Sequence, residues 1–392
     1  MIPPILRIIA MAAAAGTSAA LGYSALVLWS AALFLREKRN AHTAKAAALL
    51  PPISILKPLK GTDPGMYESL RSHCRQNYPE YEIIFGVGDA NDPAISLVEQ
   101  LKAEYAACNI RLVYCRETWG ANLKVSNLIQ MLPEARHEML VVNDSDIRVG
   151  TEYLRNIAAR LGEPNVGLVT CLYRGVPGPT LGSHLESLGI STDFCPGVLA
   201  AKLVEGGIHF GLGSTLAFRR DDLAASGGFE PLADYLADDY ELGTRIARLG
   251  REVKLAEEIV ETHLPTYTLR EFLGHQLRWV RTIREARPAG YAGLAFTFPL
   301  PWALLALLCS GGALWAWYLL AGAAAFRMAV ALVAGRAVLD DTRVVRELAL
   351  VPLRDCVAPL LWLGGFMGRT VAWRGDSFRL KKGKLIRMGN GR

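Results

Sequence analysis

Two aspartates one residue apart, Asp144 and Asp146, close the apolar run Val141-Val142-Asn143. At the carboxyl end of a strand such a pair can hold one Mg2+ or Mn2+, cations that take oxygen ligands and bridge to phosphates. A diphosphate leaving group needs that cation to neutralise its developing charge. The same residues also read as a solvated turn with capping aspartates. A second acidic stretch is Gly88-Asp89-Ala90-Asn91-Asp92-Pro93. Asp92 suits a helix N-cap with proline at the first helical position, while Asp89 has the chemistry to accept from a nucleobase or ribose. Gly120 to Asn127 opens a helical segment in which Lys124, with Asn122 and Asn127, forms a phosphate-binding feature, or else solvated surface. Asp238 and Asp239 follow a Gly227-Gly228-Phe229 turn and begin another helix. Acids in a first turn are ordinary partners of the helix dipole, and a carboxylate held there is also what a general base requires, which points to Asp239. Farther on, His275-Gln276-Leu277-Arg278-Trp279 precedes a long apolar run. It reads either as an interfacial basic helix or as a site where Arg278 grips a diphosphate and Trp279 meets an acceptor.

The elements that must position these residues are legible as an alternation. Residues 53–56, 81–87, 111–114 and 139–142 are short apolar runs, and residues 67–76, 93–105 and 124–131 have helical spacing between them. Alternating strands and helices imply βαβ units and a parallel sheet. Runs that are apolar throughout are expected when both faces of a sheet are covered. In open sheets of this kind ligands bind beyond the carboxyl ends of the strands, where both acidic stretches fall.

Composition sets the surroundings. The chain has 392 residues, of which 51% are hydrophobic and 20% charged, with a net charge of +6. No groove-like basic stripe appears, so nucleic acid is not an expected partner. The seven scattered cysteines include no CxxC, which argues against a disulfide framework or a zinc knuckle. Residues 8–35 and 288–326 carry no charged side chain. Each is long enough for the ~30 Å hydrocarbon core of a bilayer. Ser310-Gly311-Gly312 divides the second run into a membrane hairpin, and Arg327 lies within its second leg. Residues 356–368 fall short of the ~20 that a span needs and suggest an interfacial or re-entrant segment. Arg36, Lys38 and Arg39, then Arg379, Lys381, Lys382, Lys384 and Arg387, suit anionic headgroups at the cytoplasmic side. The expected organisation is an anchor over 1–36, a linker over 37–52 and a cytoplasmic catalytic domain over 53–285. A transmembrane hairpin over 286–338 follows, and then a third membrane or interfacial segment with a basic tail over 339–392.

With these motifs in this order, from about residue 53 to residue 279, the chain resembles family 2 and 21 glycosyltransferases of the GT-A fold. Ceramide glucosyltransferases and hopanoid-associated glycosyltransferases are among them. Residues 55–64, Asp92-Pro93-Ala94-Ile95, residues 144–149, Asp239-Tyr240 and His275 to Trp279 carry the resemblance. It implies an α/β, Rossmann-like, mostly parallel sheet with flanking helices, joined to N-terminal and C-terminal transmembrane helices. It implies a UDP-sugar donor, Mg2+ or Mn2+, and an inverting transfer with Asp239 as base. Lys57, Asp89, Asp92, Asn122, Lys124 and Asp144 would bind the donor, Asp144 and Asp146 the metal, and Arg278 and Trp279 would complete the catalytic set. His275 departs from the family's Gln or Arg at that position. Ceramide glucosyltransferases tend to have Gly where Asp146 stands and His where Asp193 stands. The expected reaction is therefore transfer of N-acetylglucosamine to a hopanoid polyol at the inner membrane, with glucosylation of ceramide as the alternative. A polysaccharide synthase and a non-catalytic UDP-sugar-binding membrane protein are the remaining readings.

Overall fold

The computed structural model describes residues 2–44, 50–373 and 376–388. The chain divides into two compact units. One comprises Met1–Glu37, Pro179–Val204 and Tyr267–Arg369, the other Lys38–Gly178, Glu205–Thr266 and Thr370–Arg392. The run 53–285, expected as one domain, is thus shared between them.

The second unit holds the described strands: β1 (Ile53–Leu59), β2 (Tyr81–Val87), β3 (Asn109–Tyr114), β4 (Met139–Val142), β5 (Ile147–Arg148), β6 (Val166–Val176), β7 (Leu216–Arg219), β8 (Glu252–His263), β9 (Thr370–Trp373), β10 (Asp376–Lys381) and β11 (Lys384–Arg387). The first eight form one sheet in the order β3-β2-β1-β4-β7-β6-β8-β5. β1 pairs parallel with β2 and β4, and β2 with β3. β7 lies antiparallel between β4 and β6, while β8 is parallel to β6 and antiparallel to β5. β1 is buried along its whole length, which explains its continuous rather than alternating pattern. The strand order reverses between β1 and β4, the place where an open α/β sheet leaves a crevice at its carboxyl edge.

The helices expected over 67–76, 93–105 and 124–131 are Met66–His73, Ala94–Glu104 and Leu123–Met131. The helix Asp238–Arg248 stops before Gly250, whose φ of +77° favours glycine. The tail differs from expectation. Its basic residues belong to a second sheet, ordered β11-β10-β9. Phe378 and Leu380 are buried while Arg379 and Lys381 are exposed, the two-residue period of a strand. Lys382 and Gly383 both have positive φ, as a two-residue hairpin turn requires.

The first unit is helical. The first helix runs over Pro4–Ala44, past the expected end of the anchor. Of the linker expected over 37–52, residues 45–49 lie outside the described residues. Three described helices are long and apolar enough to cross a membrane: Pro4–Asn40, Leu314–Val338 and Leu348–Phe366. The first leg of the expected hairpin is instead broken, with Pro288–Thr297 and Pro299–Cys309 meeting at 55°. Pro299 and Pro301 lack the N–H groups that would continue a helix across the break. The last span is longer than expected because Arg354 and Asp355 do not end it. Asp355 accepts from Arg327 Nε at 2.8 Å, and Arg354 Nε lies 3.2 Å from Asp193 Oδ2. Arg327 also donates to the Thr192 carbonyl and to Asp193, each at 2.7 Å. Charges that pair with opposite charges inside the helical unit do not end an apolar helix.

Candidate active site

The site grows from the loop after β4. Asn143 is fully buried, and its Nδ2 donates to the Ser214 carbonyl at 2.7 Å and to the Tyr153 hydroxyl at 3.0 Å. Beneath it, Lys57 of β1 donates to the Asp144 carbonyl at 3.0 Å. Burial pushes the Lys57 ammonium down to about 7, against the pull of Asp146 and Asp144. His73 Nε2 lies 3.4 Å from Lys57 Nζ, and Nδ1 donates to the Ser69 carbonyl at 3.0 Å. Burial and the Lys57 charge hold the His73 imidazole well below its usual range, hence neutral. Lys57, expected to touch the donor, is completely buried and supports the loop from below.

Above this floor the charged groups converge. Lys124, at the start of the helix Leu123–Met131, lies 2.8 Å from Asp144 Oδ1 and 3.1 Å from Asp238 Oδ2. Burial opposes its charge, but Asp144, Asp238 and Asp239 outweigh burial and hold the ammonium above its usual range. Asn122 caps this helix by accepting from the Val125 N–H at 3.2 Å. Its Nδ2 donates to the Tyr235 carbonyl at 2.8 Å and to Asp238 Oδ1 at 3.2 Å. The Asn122 amide, expected at the donor, is therefore spent on joining two loops of the protein. Gly120 sits so close that a Cβ there would fall 2.5 Å from the Ala233 carbonyl oxygen.

Asp239 is held by backbone donors. Oδ2 accepts from the Gly213 N–H at 2.6 Å and Oδ1 from the Tyr240 N–H at 2.8 Å. Burial, then the neighbouring Asp238, raise this carboxyl to about 6, against the pull of Lys124. A Cβ at Gly213 would lie 2.9 Å from Asp144 Oδ2 and 3.3 Å from Asp239 Oδ2. Asp144 and Asp239, far apart in sequence, thus face one small space that only glycine leaves open.

Asp146 turns elsewhere. Its carboxylate accepts from the Thr262 hydroxyl, and its carbonyl accepts from the His263 N–H at 3.2 Å. Burial and Asp144 raise the Asp146 carboxyl to about 6. Asp144 and Asp146 thus face different neighbours, although both were expected at one cation. Among the described residues no three His, Cys, Asp or Glu side chains gather as a metal cage. A cation that takes one or two carboxylates and completes its shell with phosphate oxygens needs no such cage. Asp144, beside the space at Gly213, fits that use.

Asp92 accepts from the Gly61 N–H at 2.9 and 3.0 Å and from the Ala94 N–H at 2.9 Å, tying the loop after β1 to the loop after β2. Asp89 is exposed and accepts from the Asn91 N–H at 2.9 Å. Arg278 and Trp279 lie in the helical unit, on the helix Leu269–Ala286. Trp279 packs edge-on against Phe194, with ring centroids 5.3 Å apart. His275 stacks on Tyr267 and donates from Nδ1 to Glu186 Oε1 at 3.1 Å, so the unexpected residue type anchors this helix. Sequence reasoning took Asp238 as a first-turn acid and Asp63 as part of residues 55–64 without giving either a place in the site, and it missed Gly213 and Thr262. Asp63 accepts from Ser145 Oγ at 3.2 Å. The Gly211-Leu212-Gly213 run before β7 was a readable signal of close backbone approach.

Comparison with known proteins agrees with this architecture. The description of glycosyl transferase family 21 matches residues 12–386. Ceramide glucosyltransferase 3 of Caenorhabditis elegans is 25% identical over 251 residues, 64% of this chain and 54% of that protein. The ceramide glucosyltransferase of Candida albicans is 33% identical over 116 residues, 26% of this chain and 21% of that one. The matched stretch thus spans about half the length of the nematode relative and less of the yeast one. A mannosyltransferase from Pyrobaculum calidifontis, solved with GDP-Man and Mn2+, shares the fold at TM-score 0.54 and 21% identity. That match covers 92% of this chain and 97% of the other. With a sheet whose carboxyl edge gathers Asp144, Lys124 and Asp239, and with a match spanning most of its length, the chain belongs to glycosyl transferase family 21.

Proposed function

We infer that this protein transfers a hexose from a UDP-sugar to a hydroxyl of a membrane lipid. The carrying observation is the meeting of Asp144 and Asp239 at Gly213 with Lys124 beside them. Lys124 and the Asp144 loop would receive the diphosphate, and Asp144 would hold Mg2+ or Mn2+. That cation supplies neutralisation of the leaving diphosphate. A free Asp239 oxygen lone pair takes the proton of the acceptor hydroxyl. The hydroxyl oxygen then attacks the anomeric carbon opposite the leaving UDP, the carbon–oxygen bond to the diphosphate breaks, and the configuration inverts. A carboxyl near 6 is a stronger base than an ordinary aspartate and still ionised at neutral pH. The three membrane-length helices and the ceramide-directed relatives support a lipid acceptor and a catalytic unit beside the bilayer. The basic residues after the first span support its placement in the cytoplasm.

The relatives favour ceramide as acceptor and glucose as sugar. N-acetylglucosamine transfer to a hopanoid polyol rests on Asp146 and Asp193 standing where ceramide glucosyltransferases tend to have Gly and His. The test is purified full-length protein in vesicles with UDP-glucose or UDP-N-acetylglucosamine, a divalent cation, and ceramide or a hopanoid polyol. Mass spectrometry reads the product. A single hexose on ceramide is expected. Asp239→Asn should lower transfer by roughly 10²–10⁴-fold, the usual contribution of general base catalysis, while UDP still binds. Wild-type turnover in that variant, or no UDP release with any acceptor, overturns the reading. A ladder of sugars would make the protein a polysaccharide synthase.

A further inference from the structure

The C-terminal hairpin touches the very segment that carries the acidic pair. Leu236 N donates to the Gly383 carbonyl at 3.2 Å, and Leu385 N donates to the Asp234 carbonyl at 2.7 Å. Tyr235 and Lys384 thereby form an antiparallel bridge, so residues 234–236 extend the free edge of β11. Leu236 is buried with Val371, Phe378, Leu380 and Leu385 on the inner face of this small sheet. Two and three residues farther on stand Asp238 and Asp239. The other side of residues 233–238 is held by the loop before Lys124. There Asn122 N donates to the Ala233 carbonyl at 2.7 Å and Ala121 N to Asp234 Oδ1 at 3.0 Å. A shift of the hairpin edge is therefore a shift of the Asp239 helix start relative to Lys124.

The outer face of the same sheet has a different character. Arg379 and Lys381 alternate on β10, and Lys384 and Ile386 oppose them on β11. All four are exposed, and no acidic residue occupies that face of the two strands. Lys384 lies over the Tyr235 ring at 5.3 Å, which couples this face to the clamped segment. Met388, just beyond β11, is also exposed. The last membrane-length helix ends at Phe366 and β9 begins at Thr370. By chain length alone Thr370 lies within about 14 Å of that helix end. Cations interleaved with exposed apolar side chains, tethered this closely to a span, match the chemistry of an anionic headgroup layer.

We propose that the C-terminal hairpin is a membrane-charge sensor, whose basic outer face docks on anionic phospholipid and whose edge sets the segment carrying Asp238 and Asp239, so that anionic lipid raises turnover. The regulation rests on the transferase reading, whereas the docking and clamping do not. The experiment uses full-length protein in phosphatidylcholine vesicles, with or without phosphatidylglycerol. Hydrogen exchange at residues 233–238 and 376–388 is read beside UDP release. A basic side chain near an anionic surface gains about fivefold in binding. With phosphatidylglycerol, exchange in both segments should slow on the order of tenfold and kcat should rise, with KM for the donor unchanged. The Arg379→Glu/Lys381→Glu variant should lose both responses while keeping its phosphatidylcholine turnover, and high salt should erase them in the wild type. Equal exchange with and without phosphatidylglycerol overturns the proposal whatever the activity. So does protection by a single-stranded oligonucleotide in place of anionic lipid, or an unaltered lipid response in the double variant. Slowed exchange in a protein that transfers no sugar would defeat the transferase reading and leave the docking and the clamp standing.

Discussion

At the scale of single residues, the proposed chemistry rests on Asp239 and Gly213. The Asp239 carboxyl is raised to about 6 by burial and by Asp238. Its base form is complete well above that pH and is lost as pH falls through it. The rate of transfer should therefore drop on acidification with an apparent pKa near 6, measured as kcat against pH with saturating donor. A pH-independent rate across that range would remove Asp239 from the role. Gly213 gives a second, sharper expectation. A methyl group there would crowd Asp144 Oδ2 and Asp239 Oδ2 together. Gly213→Ala should thus lower kcat by about a hundredfold, because a displacement near 1 Å costs that much. Circular dichroism and the unfolding midpoint should stay near wild type.

Two elements frame the site: the loop that joins the helix Leu123–Met131 to residues 233–238, and the hairpin that holds those residues from the other side. Neither needs to touch substrate to govern the reaction. Phe378 is a buried anchor of the small sheet, packed in the cluster that includes Leu236. Phe378→Ala should remove about 3–5 kcal/mol of packing from that sheet. Its visible consequence would be faster proteolysis of the tail and a lower kcat, with donor affinity little changed. If the variant turns over at the wild-type rate with an intact tail, the hairpin does not position the acidic segment.

For the whole molecule, the buried charges of the helical unit are decisive. Arg327 joins Asp355, Asp193 and the Thr192 carbonyl, linking three stretches of chain that are distant in sequence. Removing one member of such a group leaves the others charged without compensation, at a cost of about 3–5 kcal/mol. Arg327→Met should therefore lower the unfolding midpoint in detergent by several degrees. Arg327→Met/Asp355→Leu should recover part of that loss, because a hydrophobic replacement of a buried pair is often tolerated. A single variant as stable as the parent would show that these charges do not hold the unit together.

The order of β1 to β4 and their helices, the acidic pair at a strand end, and the membrane-length helices Pro4–Asn40 and Leu314–Val338 were legible in the sequence. Each is written in a local period or in a short neighbourhood of residue types. The distribution of roles was not. Lys57 and Lys124 look alike in sequence, yet one is sealed beneath the Asp144 loop and the other sits among three carboxylates. Asp144 and Asp146 are one residue apart, yet one faces Gly213 and the other Thr262. The last span looked too short because Arg354 and Asp355 find their partners on other helices. The tail read only as a basic segment because its apolar half has meaning only against Leu236. Local sequence determined which elements form, since propensity and period act over a few residues. Tertiary structure decided which side chains are buried, paired or free to meet a substrate, because burial and charge compensation depend on neighbours brought from far along the chain.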